Sequence, residues 1–322
     1  MPLAYLNSNS ALLRAFGFAA ATMLFLLSVT LSANASQFRE FHIDSRYGGI
    51  SDIAKGPDGN VWFTNFGIGR LSPSGVSSQM ALGLSSNADV LTTGADGNVW
   101  FLEQHKVGKI TPAGRVTEYD VRSTYPYFFL TPSYGITLGP DGNVWFTEYW
   151  NRRIGRVTPR GVVTEFAIPG NGYNNPTGIV AGRDGNLWFG QNNGLIGRLN
   201  PVTGKFLSSI SVPGNPFKLT IGADGNIWFD QSIGRITYAG AVRMFPDPSG
   251  YGFGLASARD GNIWIVDWAN DSFDRINPRT GRYLAPLHPP TAYSGLDKMT
   301  IGPDGNVWFT ENNKNNIGVY RF

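Results

Sequence analysis

Short hydrophobic runs alternate with polar turns along most of the chain. Seven of these runs carry one string, Asp-Gly-Asn followed by an aliphatic residue and Trp. The copies begin at Asp58, Asp96, Asp141, Asp184, Asp224, Asp260 and Asp304, so that neighbouring copies stand 36 to 45 residues apart. Repeats of this length, rich in strand formers and turn residues, are typical of β-propellers with one blade per copy. The pattern therefore predicts an all-β fold, a seven-bladed β-propeller.

Each repeat is long enough for a four-stranded antiparallel blade. In the third copy we predict strands at residues 134–138, 144–148, 154–158 and 162–168, with a tight turn at 139–143. The Asp-Gly pair in that turn supplies the positive φ angles that a two-residue hairpin needs. We expect each repeated Trp to pack between neighbouring blades. We interpret the repeated Asp as a turn residue rather than as a calcium ligand.

The two ends of the propeller sequence complement each other. Residues 38–44, Phe-Arg-Glu-Phe-His-Ile-Asp, resemble the fourth strand of other repeats, such as 164–168, whereas the chain stops after residues 316–322, which resemble a third strand. The last blade would then lack its outer strand, and the first residues of the propeller can supply it. Such closure removes both open sheet edges.

Residues 1–35 differ in composition from the rest. Arg14 is their only charge, an apolar run covers residues 15–31, and Ala33-Asn34-Ala35 has the small-x-small pattern of a signal peptidase site. We predict a secretory signal peptide at 1–35 with cleavage after Ala35, followed by one propeller domain at 36–322. The expected location is secreted or periplasmic. An uncleaved membrane anchor is the alternative interpretation.

Charge and cysteine content exclude several classes of function. The chain has 26 Lys and Arg against 23 Asp and Glu, without a basic run or stripe, which argues against nucleic-acid binding. It has no cysteine, which excludes a thiolate nucleophile or a Cys-ligated metal. We expect a monomer that has no membrane contact once the signal peptide is removed.

The two faces of the predicted ring differ. One face carries short polar turns, and the other carries longer loops rich in aromatic residues, which makes it the candidate binding surface. We expect a small-molecule, glycan or peptide-like ligand there. Packing of the rings over the blade tops is the alternative. The candidate ligand-binding residues are Tyr134, Trp150, Phe217, Tyr251, Phe253, Trp268 and Tyr293.

Acidic residues recur seven positions before or after the repeated Asp, where the innermost strands meet the loop-rich face. Asp267, Asp297 and Glu311 come from the last two blades and form the candidate metal site. Carboxylate oxygens suit Mg²⁺ or Ca²⁺, and no organic cofactor is expected. A hydrated polar channel without a metal is the alternative. The six acids at these positions are Asp89, Glu103, Glu148, Asp267, Asp297 and Glu311.

Longer strings within the repeats resemble a known family. They are Gly139-Pro-Asp-Gly-Asn-Val-Trp-Phe-Thr-Glu148, Ile154-Gly-Arg-Val-Thr-Pro159 and Ile301-Gly-Pro-Asp-Gly-Asn-Val-Trp-Phe-Thr-Glu311. Over roughly residues 38–322 the chain is similar to the virginiamycin B lyase family, the propellers that inactivate streptogramins. The resemblance implies a seven-bladed propeller and a Mg²⁺-dependent elimination that opens the ester of a cyclic depsipeptide.

The same resemblance implies where the active site lies and where this chain departs from the family pattern. The family's base, a His at the end of the last innermost strand, corresponds to Asp297. Its second His falls on Phe253, and a Glu falls on Gly295. The Glu of the next strand is kept as Glu311. Asp297 and Glu311 are therefore the candidate catalytic residues.

Three functions remain open at this point. The first is a carbon–oxygen lyase on a cyclic ester with an altered base. The second is a non-catalytic propeller that binds a small molecule, glycan or peptide. The third is a metal-dependent lactonase, because gluconolactonase propellers also use acids at the channel mouth.

Overall fold

The computed structural model describes residues 37–44, 49–81, 84, 87–122, 135–170, 172–247, 250 and 252–322. The predicted signal peptide, residues 1–35, lies outside these ranges. Within them, no helix is long and apolar enough to cross a membrane.

The described residues form seven antiparallel sheets, which are the blades of a propeller and are numbered here in the order of their repeated Asp. Blades 1 to 3 contain β2 (Asp52–Lys55), β3 (Val61–Thr64), β4 (Ile68–Leu71), β5 (Ser77–Ala81), β6 (Leu91–Thr93), β7 (Val99–Glu103), β8 (Lys106–Ile110), β9 (Val116–Asp120), β10 (Ile136–Leu138), β11 (Val144–Glu148), β12 (Arg153–Val157) and β13 (Val163–Ala167). Blades 4 and 5 contain β14 (Pro176–Ala181), β15 (Leu187–Gln191), β16 (Leu195–Leu199), β17 (Ile210–Ser211), β18 (Leu219–Ile221), β19 (Ile227–Phe229), β20 (Gly234–Ile236) and β21 (Val242–Met244).

The last two blades complete the ring and contain β22 (Gly252–Ser257), β23 (Ile263–Asp267), β24 (Ser272–Ile276), β25 (Leu296–Ile301), β26 (Val307–Glu311), β27 (Asn316–Tyr320) and β1 (Phe38–His42). A short 3₁₀ helix at Asn312–Lys314 joins β26 to β27. The prediction of seven blades is confirmed.

Blade 7 combines both ends of the propeller. Its strand order is β1-β27-β26-β25, with Phe38 opposite Tyr320 and His42 opposite Asn316. The predicted closure by the N-terminal strand is therefore confirmed.

Blade 6 has an irregular outer strand. Three strands, β22 to β24, form its regular sheet. Residues 283–287 take the fourth place through two isolated bridges, Phe273 with Leu287 and Ile276 with Tyr283.

The repeated Trp residues fill the spaces between blades, as predicted. All seven are at most 1% exposed. Trp62 of blade 1, for example, packs with Leu91 and Phe101 of blade 2. Each indole Nε1 donates a hydrogen bond to the Asp of its own repeat at 2.9 to 3.3 Å, so that the repeated Asp joins the turn to the core.

A second pairing joins strands two and three of each blade. In six blades a Phe lies directly opposite a Gly, and a Cβ atom on that Gly would come within 2.1 to 2.2 Å of the ring. Only glycine fits under the ring, because real Cβ atoms do not approach so closely. Blade 6 has Ile265 opposite Asp274 instead. The six regular pairs are Phe63 with Gly69, Phe101 with Gly108, Phe146 with Gly155, Phe189 with Gly197, Phe229 with Gly234 and Phe309 with Gly318.

Candidate functional site

The innermost strands surround a central cavity of about 640 Å³. Asp52 and Lys218 line this cavity. Asp52 is the first residue of β2, and Lys218 directly precedes β18. Burial lowers the pKa of the Lys218 ammonium and raises the pKa of the Asp52 carboxyl, while the opposite charges of the two side chains work against both shifts. The channel therefore contains one acidic and one basic ionisable group.

Lys218 and Lys298 are not among the residues predicted to face the mouth of the channel. Each directly follows a residue that is, Phe217 and Asp297 respectively. The sequence does contain a signal for the two lysines, because each stands one residue after a predicted site residue. Lys218 and Lys298 lie six residues before the repeated Asp, outside the positions seven residues before or after it that define the predicted site.

Asp297 lies at a β-bulge in β25, where the register shifts between Leu296 and Met299. One carboxylate oxygen accepts a hydrogen bond from the Lys298 ammonium, and the other accepts one from the Asn312 side chain at 2.9 Å. Both oxygens of this candidate base are thus held by donors of its own blade.

An aromatic pair stands beside this ion pair. The rings of Phe217 and Phe253 lie 6.4 Å apart, and the Lys298 nitrogen lies 5.0 Å from the centre of the Phe253 ring. Asp230, which is fully buried, fixes both segments: it accepts hydrogen bonds from the backbone of Phe217 at 2.8 Å and of Gly254 at 3.0 Å. The two predicted ligand-binding phenylalanines are therefore brought together.

Glu311 ends β26 and is fully buried. Its Oε2 atom accepts a hydrogen bond from Asn316 at 3.0 Å, whereas Oε1 has no hydrogen-bond partner among the described residues. Burial raises the pKa of Glu311 to about 7, the bond from Asn316 opposes this rise, and the nearby charges of Glu40 and Asp271 add to it. The carboxyl group can therefore gain or lose a proton near neutral pH.

The neighbours of Glu311 are held by the loop that precedes β25. Thr291 donates to both carboxylate oxygens of Glu40, and Ser294 donates to both oxygens of Asp271, at 2.9 Å from its backbone and 2.7 Å from its hydroxyl. This loop thereby joins the closing strand β1 to blade 6 around Glu311.

A buried acid at the end of the second strand is a feature of several repeats. Glu148 in blade 3 repeats the arrangement of Glu311: Oε2 accepts from Asn151 at 2.9 Å, and Oε1 has no hydrogen-bond partner among the described residues. Burial raises the pKa of Glu148 to about 8, with the charge of Glu165 adding to the rise. Glu165 stands in blade 3 where Glu40 stands in blade 7, since each lies opposite the glycine of the third strand. The additional charge of Asp271 therefore distinguishes Glu311 from this counterpart.

Asp267 has a different environment again. Its two oxygens accept hydrogen bonds from the backbone and side chain of Asn270, at 3.1 and 2.7 Å. It borders a cavity in blade 6 together with Asp274 and His288.

The three predicted metal ligands do not fit a common ion in this arrangement. Asp267 is held by Asn270, the Lys298 ammonium contacts Asp297, and Glu311 is buried beside Glu40. Within the described ranges, no group of three or more His, Cys, Asp or Glu side chains could hold a metal ion. Binding of Mg²⁺ or Ca²⁺ by these residues stays a prediction, and it would require them to rearrange.

The remaining predicted ligand-binding residues are spread over the loop-rich face. Trp150 contacts Tyr149 edge to face, with ring centres 4.9 Å apart. Trp268 is 58% exposed and borders a cavity of about 740 Å³ between blades 5 and 6, and Tyr293 is 85% exposed. Tyr134 and Tyr251 lie outside the described residues.

Comparison with known proteins gives a consistent result. The model of the Virginiamycin B lyase family matches residues 36–231 and 174–321. A streptogramin B lyase structure is 30% identical, with a TM-score of 0.78, and the match covers 88% of this chain and 96% of the other. Virginiamycin B lyase from Staphylococcus aureus, in selenomethionine form, is 28% identical, with a TM-score of 0.77 and coverage of 88% and 98%.

The same identity, TM-score and coverage hold for a catalytically inactive variant of the Staphylococcus aureus enzyme with quinupristin. No curated protein matches the chain.

Proposed function

The chain belongs to the virginiamycin B lyase family, and from this premise we propose that it is a carbon–oxygen lyase that opens a cyclic ester by elimination. In such a reaction a base removes a proton from the carbon next to the one that carries the ester oxygen. A carbon–carbon double bond forms, the carbon–oxygen bond breaks, and the carboxylate leaves with the bonding electrons. No water is consumed.

The observation that carries this proposal is the raised pKa of the buried Glu311 carboxyl group. A general base works best when its pKa lies near the working pH, and that of Glu311 is about 7. The Oε1 atom, which accepts no hydrogen bond from the described residues, is available to take up the proton. Because Glu311 is fully buried, substrate contact requires the residues that cover it to move.

Lys298 supplies positive charge at the same mouth. Its ammonium lies between the carboxylate of Asp297 and the ring of Phe253. We assign Asp297 a positioning role, since both of its oxygens are held by donors. Lys298 then stabilises the negative charge of the departing carboxylate. Preorganised hydrogen-bond donors in enzyme active sites stabilise developing charge in the same way.

The expected substrate is an apolar, peptide-like ring. Phe217 and Phe253 offer aromatic surface beside the charged groups, and Trp268 and Tyr293 are exposed on the same loop-rich face. Such a mixture of apolar walls and a few polar groups is typical of small-molecule sites.

Two observations favour a second candidate, a non-catalytic binding propeller. Asp297 replaces the His that serves as base in the family and is held by Lys298 and Asn312. Phe253 stands at the place of the second His. A protein of this kind would bind the same ligands without opening them.

Mass spectrometry of virginiamycin B incubated with the purified protein separates these functions. We expect a linear product of unchanged mass, which indicates elimination. A product heavier by one water molecule would identify a lactonase instead. An intact ring that nevertheless binds to the protein would identify the non-catalytic alternative.

A further inference from the structure

Blade 6 departs from the repeat at three positions that meet inside the blade. Blade 4 serves as the comparison, because its outer segment has the same pattern, Asn-Pro-x-Thr-Gly followed by a basic and an aromatic residue. The corresponding residues are Phe189, Gly197 and Phe206 in blade 4, and Ile265, Asp274 and Tyr283 in blade 6.

Compared with blade 4, Ile265 replaces a ring, whereas Asp274 and Tyr283 add a carboxylate and a hydroxyl group. In blade 4, Phe189 covers Gly197 and contacts Phe206 edge to face, with ring centres 6.0 Å apart. In blade 6, the smaller Ile265 leaves room for the carboxylate of Asp274 and the hydroxyl of Tyr283. Three differences between blades 4 and 6 at one place indicate that this part of blade 6 has a function of its own.

Each of these two side chains has a buried polar atom that no described residue hydrogen-bonds. Asp274 is only 7% exposed, and its Oδ2 atom has no hydrogen-bond partner among the described residues. The same holds for the buried hydroxyl oxygen of Tyr283. Buried polar atoms are nearly always hydrogen-bonded, because leaving them unpaired costs free energy. Two such atoms at one place indicate a missing donor.

Both residues line one cavity of about 490 Å³. Asp267 and Ser272 add polar groups to its wall, and Leu284 and Pro286 add apolar surface. His288 also lines it and is exposed. Two carboxylates therefore face the cavity, whereas its apolar wall can cover a hydrocarbon group.

We propose that this cavity is a binding site for an organic ammonium ion, whose nitrogen donates hydrogen bonds to Asp274 and Tyr283 and whose hydrocarbon part packs on Leu284 and Pro286. A cation is favoured over a neutral donor because charge-assisted hydrogen bonds to a buried carboxylate are the stronger ones. The site lies in blade 6 and does not involve Glu311, so it does not depend on the lyase activity.

Benzylamine, which is protonated at pH 7, is the probe, and benzyl alcohol is its neutral counterpart. Ligand-observed NMR titration of the full chain should show saturable benzylamine binding and much weaker binding of the alcohol. We expect Asp274→Asn to raise the Kd for benzylamine at least tenfold and Tyr283→Phe to raise it several-fold. The matched control, Asp120→Asn, removes an exposed charge from blade 2 and should leave the Kd unchanged.

A second variant guards against loss of folding. The double substitution Ile265→Phe with Asp274→Gly restores the pair found in the other six blades, and it should fold and fail to bind benzylamine. The proposal would be overturned if the wild-type chain showed no saturable binding. An unchanged Kd in either Asp274 variant would overturn it as well.

Discussion

Phe41, in the first strand of the propeller, stacks on Trp308 of the last blade, with ring centres 5.9 Å apart and planes 10° apart. The same ring lies close to Gly75 of blade 1, so that it connects the two blades at which the ring closes. The closure thus combines the backbone pairing of β1 and β27 with a buried aromatic contact.

Removing this contact should weaken the whole propeller. We expect Phe41→Ala to lower the free energy of unfolding by about 3–5 kcal/mol, because it creates a cavity at a buried aromatic site.

Deletion of residues 37–44 should cause aggregation or early melting, since it opens a sheet edge. Thermal and denaturant unfolding measure both effects. Tyr173→Ala is the control, because that side chain is 86% exposed. A deletion variant that melts like the full chain would contradict the closure.

The pairing of Phe with Gly predicts a large effect for a small change. In Gly155→Ala the new methyl group would lie 2.2 Å from the ring of Phe146, so we expect a loss of about 1–3 kcal/mol. Phe146→Leu in the same molecule should recover part of that loss, because it removes the clashing ring. A double-mutant cycle by denaturant unfolding checks this, and strictly additive effects would show that the two side chains do not interact.

Stability should pass through a maximum at mildly acidic pH. Burial acts to raise the pKa values of five repeated aspartates, but hydrogen bonds from Trp and Asn outweigh it and hold those values below the usual range. The stability that they contribute is lost as the pH falls below about 4. These residues are Asp58, Asp96, Asp184, Asp224 and Asp304.

The buried acids act in the opposite direction. Burial raises the pKa of Asp274 to about 6, of Glu311 to about 7 and of Glu148 to about 8. The folded chain then binds more protons than the unfolded one above about pH 4, so that stability falls as the pH rises from 5 to 8. Melting curves across this range test the sign, and Glu148→Gln should flatten the decline. A melting temperature that increases steadily from pH 5 to pH 8 would refute this assignment.

Much of the fold could be predicted from the sequence, because its determinants recur at fixed spacing. The Asp-Gly turn and the Trp four residues after the Asp define each blade, and the strand-like segment 38–44 indicates how the ring closes. The broken repeat of blade 6 was equally visible. Ile265 and Asp274 stand where the other copies have Phe and Gly, but a search for what the copies share does not reveal where one of them differs.

The site could be predicted only in part, since it depends on contacts between distant segments. Glu311 was identified by resemblance, yet its neighbour Glu40 reaches it only through ring closure. The bulge in β25 allows Lys298 to contact Asp297, and a local backbone irregularity of this kind has no simple sequence signal. The expected open cluster of acids therefore could not be distinguished from separately held carboxylates.

Metal binding can be tested directly. Asp267, Asp297 and Glu311 would have to leave their present partners to bind Mg²⁺ or Ca²⁺, so binding should appear as a rise in melting temperature that EDTA reverses, and an unchanged melting temperature would contradict it. Differential scanning calorimetry with elemental analysis of the pure protein checks this. A rise in melting temperature with Mg²⁺ that disappears in Asp297→Asn would show that the carboxylates rearrange around an ion.

The role of Glu311 as a base is the central claim, and blade 3 offers its matched control. Glu148→Gln changes an equally buried acid at the same repeat position, away from Glu40 and Asp271. The decisive measurement is the initial rate of virginiamycin B ring opening by the wild-type chain and both Gln variants. We predict a loss of at least about 100-fold for Glu311→Gln, the usual contribution of a general base, and near wild-type activity for Glu148→Gln. Equal rates in the two variants, or no ring opening by the wild-type chain, would contradict the account.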